Sequence, residues 1–298
     1  MNGTTTVQLA EKTAKAVTGS VEEWTGFLQS AARLYKYSYP EQLLIYAQHP
    51  DATACASYEI WNQTMRRYVR RGARGIALPD GAGAVRYVFD VADTGARKSS
   101  REVKTWALDE NNREAVAHAL ETQYGSAAKL GIAGQLEEIA MQQSMDYWQW
   151  HQDELRGIVD GSFLEGYDEL NLEIAFRNTA AASVKYMLLS RCNLAREYQV
   201  EPEELAGVLE WNTSAASGAL GSAISELSEG VLRQIERTIR QYERSQNHDE
   251  RTDVYEERRV LDSRSDSSRT ADGAEQIRTD AGMVSEGASD DYLQQPDR

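Results

Sequence analysis

The stretch RRYVRRGARGIALPDGAGAVRYVFDVADT, residues 66–94, decides the fold class because the apolar pattern changes its period there. Short runs rich in Val, Ile, Tyr and Phe are separated by glycines, which is typical of β-strands joined by tight turns. Glycine supplies the positive φ that hairpin turns require, so we predict a turn between Gly72 and Gly75. Residues 66–78 would then form a β-hairpin, with further strands at residues 84–94 and 102–108.

Helical patterns precede these strands. Ser20 is placed to cap a helix over residues 21–37, in which apolar side chains recur at helical spacing. Pro40 lies in the first turn of a second helix, which ends before Pro50 because proline cannot continue it. A short third helix is predicted at residues 57–65.

Downstream of Asn111 the 3.6-residue apolar repeat continues to about Ser245. Beyond it there are few aliphatic residues and no periodicity, and such a segment buries too little surface to offset its chain entropy. The predicted fold class is α+β: a small N-terminal helix-plus-β-hairpin/sheet domain, an all-α helical domain and a disordered acidic tail. The boundaries are residues 1–19 for a flexible lead-in, 20–108 for the α+β domain, 109–245 for the helical domain and 246–298 for the tail.

Charge is distributed unevenly along the chain. The whole sequence has a formal net charge of −15 and a pI of about 4.8, yet residues 30–105 hold twelve Lys or Arg against seven Asp or Glu. This segment has a surplus of five positive charges, and the remainder of the chain therefore carries −20. The asymmetry indicates a basic interaction surface with acidic flanks.

No catalytic or metal-binding motif is evident. No two of the four histidines have the i, i+4 spacing of a helical zinc site, and neither a glycine-rich phosphate loop nor a nucleophile elbow occurs. Cys55 and Cys192 lie far apart and match neither a disulfide framework nor a zinc spacing, which favours reduced thiols. We therefore expect a non-enzymatic protein with no cofactor and no metal.

The first residues lack the apolar core of a secretory signal peptide. No apolar run approaches the ~18 residues that span a membrane. We expect a cytoplasmic protein that has no membrane partner.

The arginine-rich segment predicts a nucleic-acid-binding surface. Guanidinium groups hold phosphates through paired hydrogen bonds, and neutralising phosphates releases counterions. Nearby aromatic side chains are suited to stacking on unpaired bases, which favours single strands. The candidate residues of the hairpin are Arg66, Arg67, Tyr68, Arg70, Arg71 and Arg74. Two alternatives stay open: a solvated strand edge that resists aggregation, and a core role for aromatics such as Trp61 and Phe89.

Three motifs within residues 37–94 carry a family resemblance: EQLLIYAQ at 41–48, Trp61 followed by YVRRGARGIAL at 68–78, and VFDVADT at 88–94. Together they resemble the N-terminal single-stranded-DNA-binding domain of ArdC-type antirestriction proteins. The resemblance is closer to the version found at the front of large helicase/methylase proteins of Firmicutes conjugative elements. The helices that follow are similar to the segment after this domain in those proteins.

The resemblance implies binding of single-stranded DNA through the hairpin and the adjoining helix. Phosphate contacts carry over to Arg70, Arg71 and Arg74, with Tyr68 and Trp61 packed beside them, and Lys36, Gln42 and Arg67 follow as second-rank contacts. ArdC proteins also carry a metallopeptidase-like domain with a zinc-binding histidine motif. This chain has no such motif, so protease activity is not expected, and it resembles the front end of the larger proteins standing alone.

Two functions are left open. The first is a mobile-element protein that binds single-stranded DNA and has an antirestriction role. The second is an anti-CRISPR protein or another inhibitor of a host nuclease, which would bind a defence protein or its guide–nucleic-acid complex. Acidic helices suit this second function because an acidic surface can occupy a basic channel. A scaffold within a conjugation complex is a third possibility.

Overall fold

The computed structural model describes residues 2–80, 83–194, 198 and 200–269, with side chains up to residue 246. The chain divides into two compact units, Met1–Arg244 and Ser245–Arg298. The described residues are mostly helical, and two small antiparallel sheets, one of three strands and one of two, lie in the first unit.

Eight α-helices and five short strands are formed by the described residues. The helices are α1 (Gly3–Val17), α2 (Val21–Arg33), α3 (Tyr39–Gln48), α4 (Arg113–Tyr124), α5 (Gly131–Gly157), α6 (Glu169–Arg191), α7 (Pro202–Leu205) and α8 (Ser214–Arg269). The strands are β1 (Cys55–Ser57), β2 (Tyr68–Val69), β3 (Ile76–Pro79), β4 (Val85–Asp90) and β5 (Thr94–Gly95).

Helix α1 corrects the prediction of a flexible lead-in over residues 1–19. The side chain of Asn2 caps the helix by accepting a hydrogen bond from the Thr5 backbone N–H, and the helix packs against α3. Thr6 and Thr13 are buried, and their hydroxyls donate to backbone carbonyls about one turn earlier. Because threonine takes the place of larger apolar residues on the buried face, the sequence shows little apolar periodicity there.

Helices α2 and α3 form where the sequence predicts them. Ser20 caps α2 by accepting a hydrogen bond from the Glu23 N–H, and α2 ends at Arg33, before the predicted end. At the start of α3, the backbone N–H and the hydroxyl of Ser38 both donate to the Glu41 carboxylate. Both helix starts are therefore determined by hydrogen bonds between residues close in sequence.

The predicted β-hairpin over residues 66–78 is not formed. β2 pairs antiparallel with β5, whereas β3 pairs antiparallel with β4, with Ile76 opposite Val88. β4 also pairs with β1, which gives a three-stranded sheet of order β1–β4–β3. Strands were predicted correctly around β2, β3 and β4, but their partners were not, because alternation determines the face on which a side chain lies and does not select the pairing strand.

Two other local predictions change. The short helix predicted at residues 57–65 is formed over residues 58–64, but its turn at Ile60–Thr64 is π-helical. The strand predicted at residues 102–108 is absent, since these residues have no regular structure. Trp106 in this segment is buried instead in the helical core, where its ring packs beside the guanidinium of Arg191.

Two buried clusters share helix α3. The smaller lies between this helix and the three-stranded sheet and comprises Leu34, Leu44, Ile45, Ala52, Ile76, Leu78 and Val88. The larger joins α2 and α3 to α4, α5, α6 and α8, and the Trp24 indole N–H donates to the Ser183 hydroxyl of α6 at 3.0 Å within it. Because α3 contributes side chains to both clusters, the predicted domains at residues 20–108 and 109–245 are joined through a shared helix and lie, up to Arg244, in one compact unit.

The predicted tail, residues 246–298, lies largely beyond the residues whose side chains are described. The backbone of α8 continues past residue 246 to Arg269. Residues 270–298 lie outside the described residues.

Candidate nucleic-acid interface

Arg70, Arg71 and Arg74 lie on and beside an exposed turn that connects β2 to β3. The Ala73 N–H donates to the Arg70 carbonyl at 3.1 Å and closes a four-residue turn. Gly72 has a φ of 88°, the positive value that the third position of a type II turn requires. All three arginine side chains are exposed, and no ion pair to them is formed by the described residues. The predicted turn is therefore formed, but over residues 70–73, two residues earlier in the chain than predicted.

A second basic segment, RKSSR at residues 97–101, folds back beside β2. The Ser100 hydroxyl donates to the Arg66 carbonyl at 2.7 Å, and the Arg101 N–H donates to the Met65 carbonyl at 2.9 Å. The guanidinium of Arg97 lies 5.5 Å from the centre of the Tyr68 ring. We call the exposed cations of the two segments the basic surface: Arg66, Arg70, Arg71, Arg74, Arg97, Lys98 and Arg101.

Three of these cations, Arg97, Lys98 and Arg101, were not among the predicted contacts. They are separated in sequence from the first arginine run by about twenty residues, and β5 brings the two segments together by pairing with β2. The signal that could have indicated them is the absence of acidic residues from RKSSR directly after the last strand.

Aromatic rings lie next to the basic surface. A Cβ added at Gly75, which follows Arg74, would lie 3.0 Å from the Tyr87 ring and 3.1 Å from the Phe89 ring, so both rings cover this glycine. Tyr87 is 46% exposed, Tyr68 is 41% exposed and Phe89 is half-buried. Partly exposed rings beside guanidinium groups provide flat surfaces on which unpaired bases stack.

Two predicted contacts have their charged groups engaged within the protein. Arg67 donates from Nε to the Thr94 hydroxyl at 2.8 Å, and the Lys36 ammonium lies 2.5 Å from a Glu236 carboxylate oxygen. Burial raises the pKa of Glu236, but hydrogen bonds from Lys36 and Tyr35 outweigh it and hold that pKa below its usual value. Lys36 therefore neutralises a carboxylate of α8, and its role as a phosphate contact stays a prediction.

Gln42 and Trp61, both among the predicted contacts, are too buried to touch a ligand, with 2% of each residue exposed. For Trp61 this is the core role that the sequence left open as an alternative. The Gln42 amide donates to the Tyr37 carbonyl at 2.9 Å and so fixes the connection between α2 and α3. The Trp61 indole N–H donates to the Phe89 carbonyl at 2.8 Å and ties the π-helical turn to β4. Their roles are to position the surface.

The described residues also include two free cysteines, Cys55 and Cys192. Burial raises the pKa of both Cys55 and Cys192 to about 12, so neither thiol is ionised at neutral pH. Among the residues that the structure describes, no group of three or more His, Cys, Asp or Glu is arranged to hold a metal ion. No helix in the described part of the chain is both long and apolar enough to cross a membrane.

Comparison of the chain with protein families, with characterised proteins and with solved structures finds no match. The resemblance to ArdC-type proteins therefore stays a prediction from sequence motifs. Functional inference rests on the arrangement of the basic surface and its aromatic neighbours.

Proposed function

We propose that this protein binds single-stranded DNA through the basic surface. The observation that carries the proposal is the meeting of two acid-free segments, residues 66–74 and 97–101, next to partly exposed aromatic rings. Since no described residue forms an ion pair with the seven cations, their charge is available to phosphates. Phosphate binding would release counterions from the DNA, and this release is favourable at low salt.

Two features favour single strands over duplex. Stacking on an aromatic ring contributes about 1–3 kcal/mol per base and needs a base whose face is free, which a duplex does not offer. The arginines lie on a turn and a loop, whereas duplex readers place a helix or a two-stranded ribbon in the major groove. The rings of Tyr68, Tyr87 and Phe89 would take the bases while the cations hold the backbone.

The test is fluorescence anisotropy of the full chain with a labelled single-stranded oligonucleotide and with the same sequence as a duplex. We expect tighter binding of the single strand. Tyr87→Ala should weaken that binding by about 1–3 kcal/mol, the value of one stacked base. Tyr87→Phe keeps the ring and should bind like the natural chain. Equal affinity for the duplex, or no effect of Tyr87→Ala, would contradict the proposal.

A second candidate function is inhibition of a host defence nuclease. The observation that favours it is a set of large apolar side chains exposed in the helical part, among them Trp150 (85%), Phe163 (69%) and Leu170 (64%). Exposed apolar groups mark protein interfaces when they form a patch, and an acidic chain suits a basic channel. The test is to measure how far the protein inhibits restriction and CRISPR nucleases. This function requires that Trp150→Ala weakens the inhibition and that Arg70→Ala/Arg71→Ala/Arg74→Ala leaves it unchanged.

A further inference from the structure

A cavity of about 500 Å³ lies between α2, the segment before β1, the segment after β5 and the end of α6. Its volume is within the range of small-molecule sites, roughly 300–1,000 Å³. Two arginines line it, Arg33 from α2 and Arg191 from α6. The remaining polar lining includes Thr53, Thr105, Ser190 and Asn193, and no acidic side chain is among the described lining residues.

Internal hydrogen bonds leave part of each guanidinium unused. Arg33 donates to the carbonyls of Ala52, Pro50 and Gln29, so two of its five N–H groups have no partner among the described residues. Arg191 donates to the Trp106 carbonyl at 3.0 Å, which leaves four of its five N–H groups without a hydrogen-bond partner among the described residues. These bonds hold both guanidinium groups in place, because each is anchored to backbone on one side.

Neither arginine has a carboxylate partner among the described residues. Arg191 is half-buried, and burial lowers its pKa because water is removed from the charged group. The acid whose charge acts on it, Glu236, is already in ion pairs with Lys36 and Arg240. Two fixed cations that share one cavity without a counterion favour an anionic ligand.

We propose that this cavity binds the phosphate of a nucleotide. Arg33 and Arg191 would hold the phosphate oxygens, since a guanidinium matches the geometry of a phosphate. The cavity is larger than a phosphate needs, and the hydroxyls of Thr105 and Ser190 can bond sugar and base. The phosphate can belong to a free nucleotide or to the 5′ end of a DNA strand. This inference uses none of the residues of the basic surface.

The experiment is isothermal titration of the full chain with deoxyadenosine monophosphate and with deoxyadenosine. Thr105 is exposed and lines the cavity, so Thr105→Glu adds a negative charge there, and Thr105→Gln is the neutral control of similar size. We expect the monophosphate to bind at least about tenfold more tightly than the nucleoside, and Thr105→Glu to lose about tenfold relative to Thr105→Gln. Equal melting temperatures of the two variants would show that both are folded.

A pair of oligonucleotides with and without a 5′ phosphate distinguishes the two sources. A preference for the 5′-phosphorylated strand that Thr105→Glu abolishes supports a strand end, and binding of the monophosphate without that preference supports a free nucleotide. No binding of either phosphate, or equal binding by Thr105→Glu and Thr105→Gln, would overturn the inference. Arg70→Ala/Arg71→Ala/Arg74→Ala should bind the monophosphate normally, so failure of this inference is distinguishable from failure of single-strand binding at the basic surface.

Discussion

Removal of Arg70, Arg71 and Arg74 together should reduce both the affinity for single-stranded DNA and its dependence on salt. These side chains are exposed on one turn, and none of them forms an ion pair with the described residues. Their replacement by alanine therefore removes charge without leaving a buried carboxylate unpaired, and the fold should be retained.

The magnitude follows from the number of arginines. Each phosphate neutralised on a single strand contributes about 0.7 to the slope of log affinity against log salt, so three arginines account for a slope of about two. Between about 50 and 200 mM salt, a slope of that size changes affinity about 20-fold. The ratio of natural to variant affinity should fall by this factor over the same interval.

The assay is fluorescence anisotropy with a single-stranded oligonucleotide over a series of salt concentrations. A matched control is Arg177→Ala/Arg233→Ala/Arg237→Ala, which removes the same charge from α6 and α8. Two of its arginines pair with glutamates one turn away, at 2.7 Å for Arg177 and 2.6 Å for Arg233. The control should keep the salt slope of the natural chain. Equal slopes for both variants would refute the reasoning, because the effect would then reflect net charge and not the basic surface.

Other predictions concern stability. Gly221→Ala should destabilise the fold by about 1–3 kcal/mol in a denaturant titration, because its Cβ would lie 2.2 Å from the buried Tyr39 ring. Gly218→Ala meets nothing within 4 Å and should instead stabilise α8 by up to about 1 kcal/mol; equal effects of both variants would contradict the packing of α3 on α8. The pKa of Glu236 is lower in the folded protein than its ordinary value of 4.5. The ionised carboxylate therefore stabilises the fold above pH 4.5, and this contribution is lost as the pH falls through the lower folded pKa. Glu236→Gln should therefore lower the melting temperature at pH 7 and flatten its decline below pH 4.5. Trp150→Ala should change the unfolding free energy by less than about 0.5 kcal/mol, since the side chain is exposed.

Several features could be predicted from sequence because they depend on neighbours in the chain. Ser20 and Ser38 start α2 and α3 through hydrogen bonds to groups three residues away. The positions of β2, β3 and β4 followed from β-rich runs, and Gly72 marked the turn that its positive φ confirms. The basic character of the interface was also visible, because the arginines of residues 66–74 are adjacent in sequence.

Strand partners and burial could not be predicted in this way, because they depend on contacts between distant segments. Residues 66–78 have the pattern of a hairpin, yet β2 and β3 pair with different strands. Gln42 resembled a surface contact in a motif, but its amide satisfies a backbone carbonyl inside the protein. Helix α1 escaped detection because its threonines satisfy their own hydroxyls within the helix.

Sequence alone was enough to locate the starts of α2 and α3, the strands β2, β3 and β4 and the concentration of positive charge, since each of these depends on short-range hydrogen bonding and composition. The tertiary structure decided that RKSSR joins the first arginine run, because pairing of β2 with β5 brings together residues that are distant in the chain. It also gave α3 two cores, with Tyr39 and Leu43 in the larger cluster and Leu44 and Ile45 in the smaller. Strand pairing and burial of this kind minimise exposed apolar surface and unpaired polar groups over the whole chain. A local sequence pattern does not contain that information.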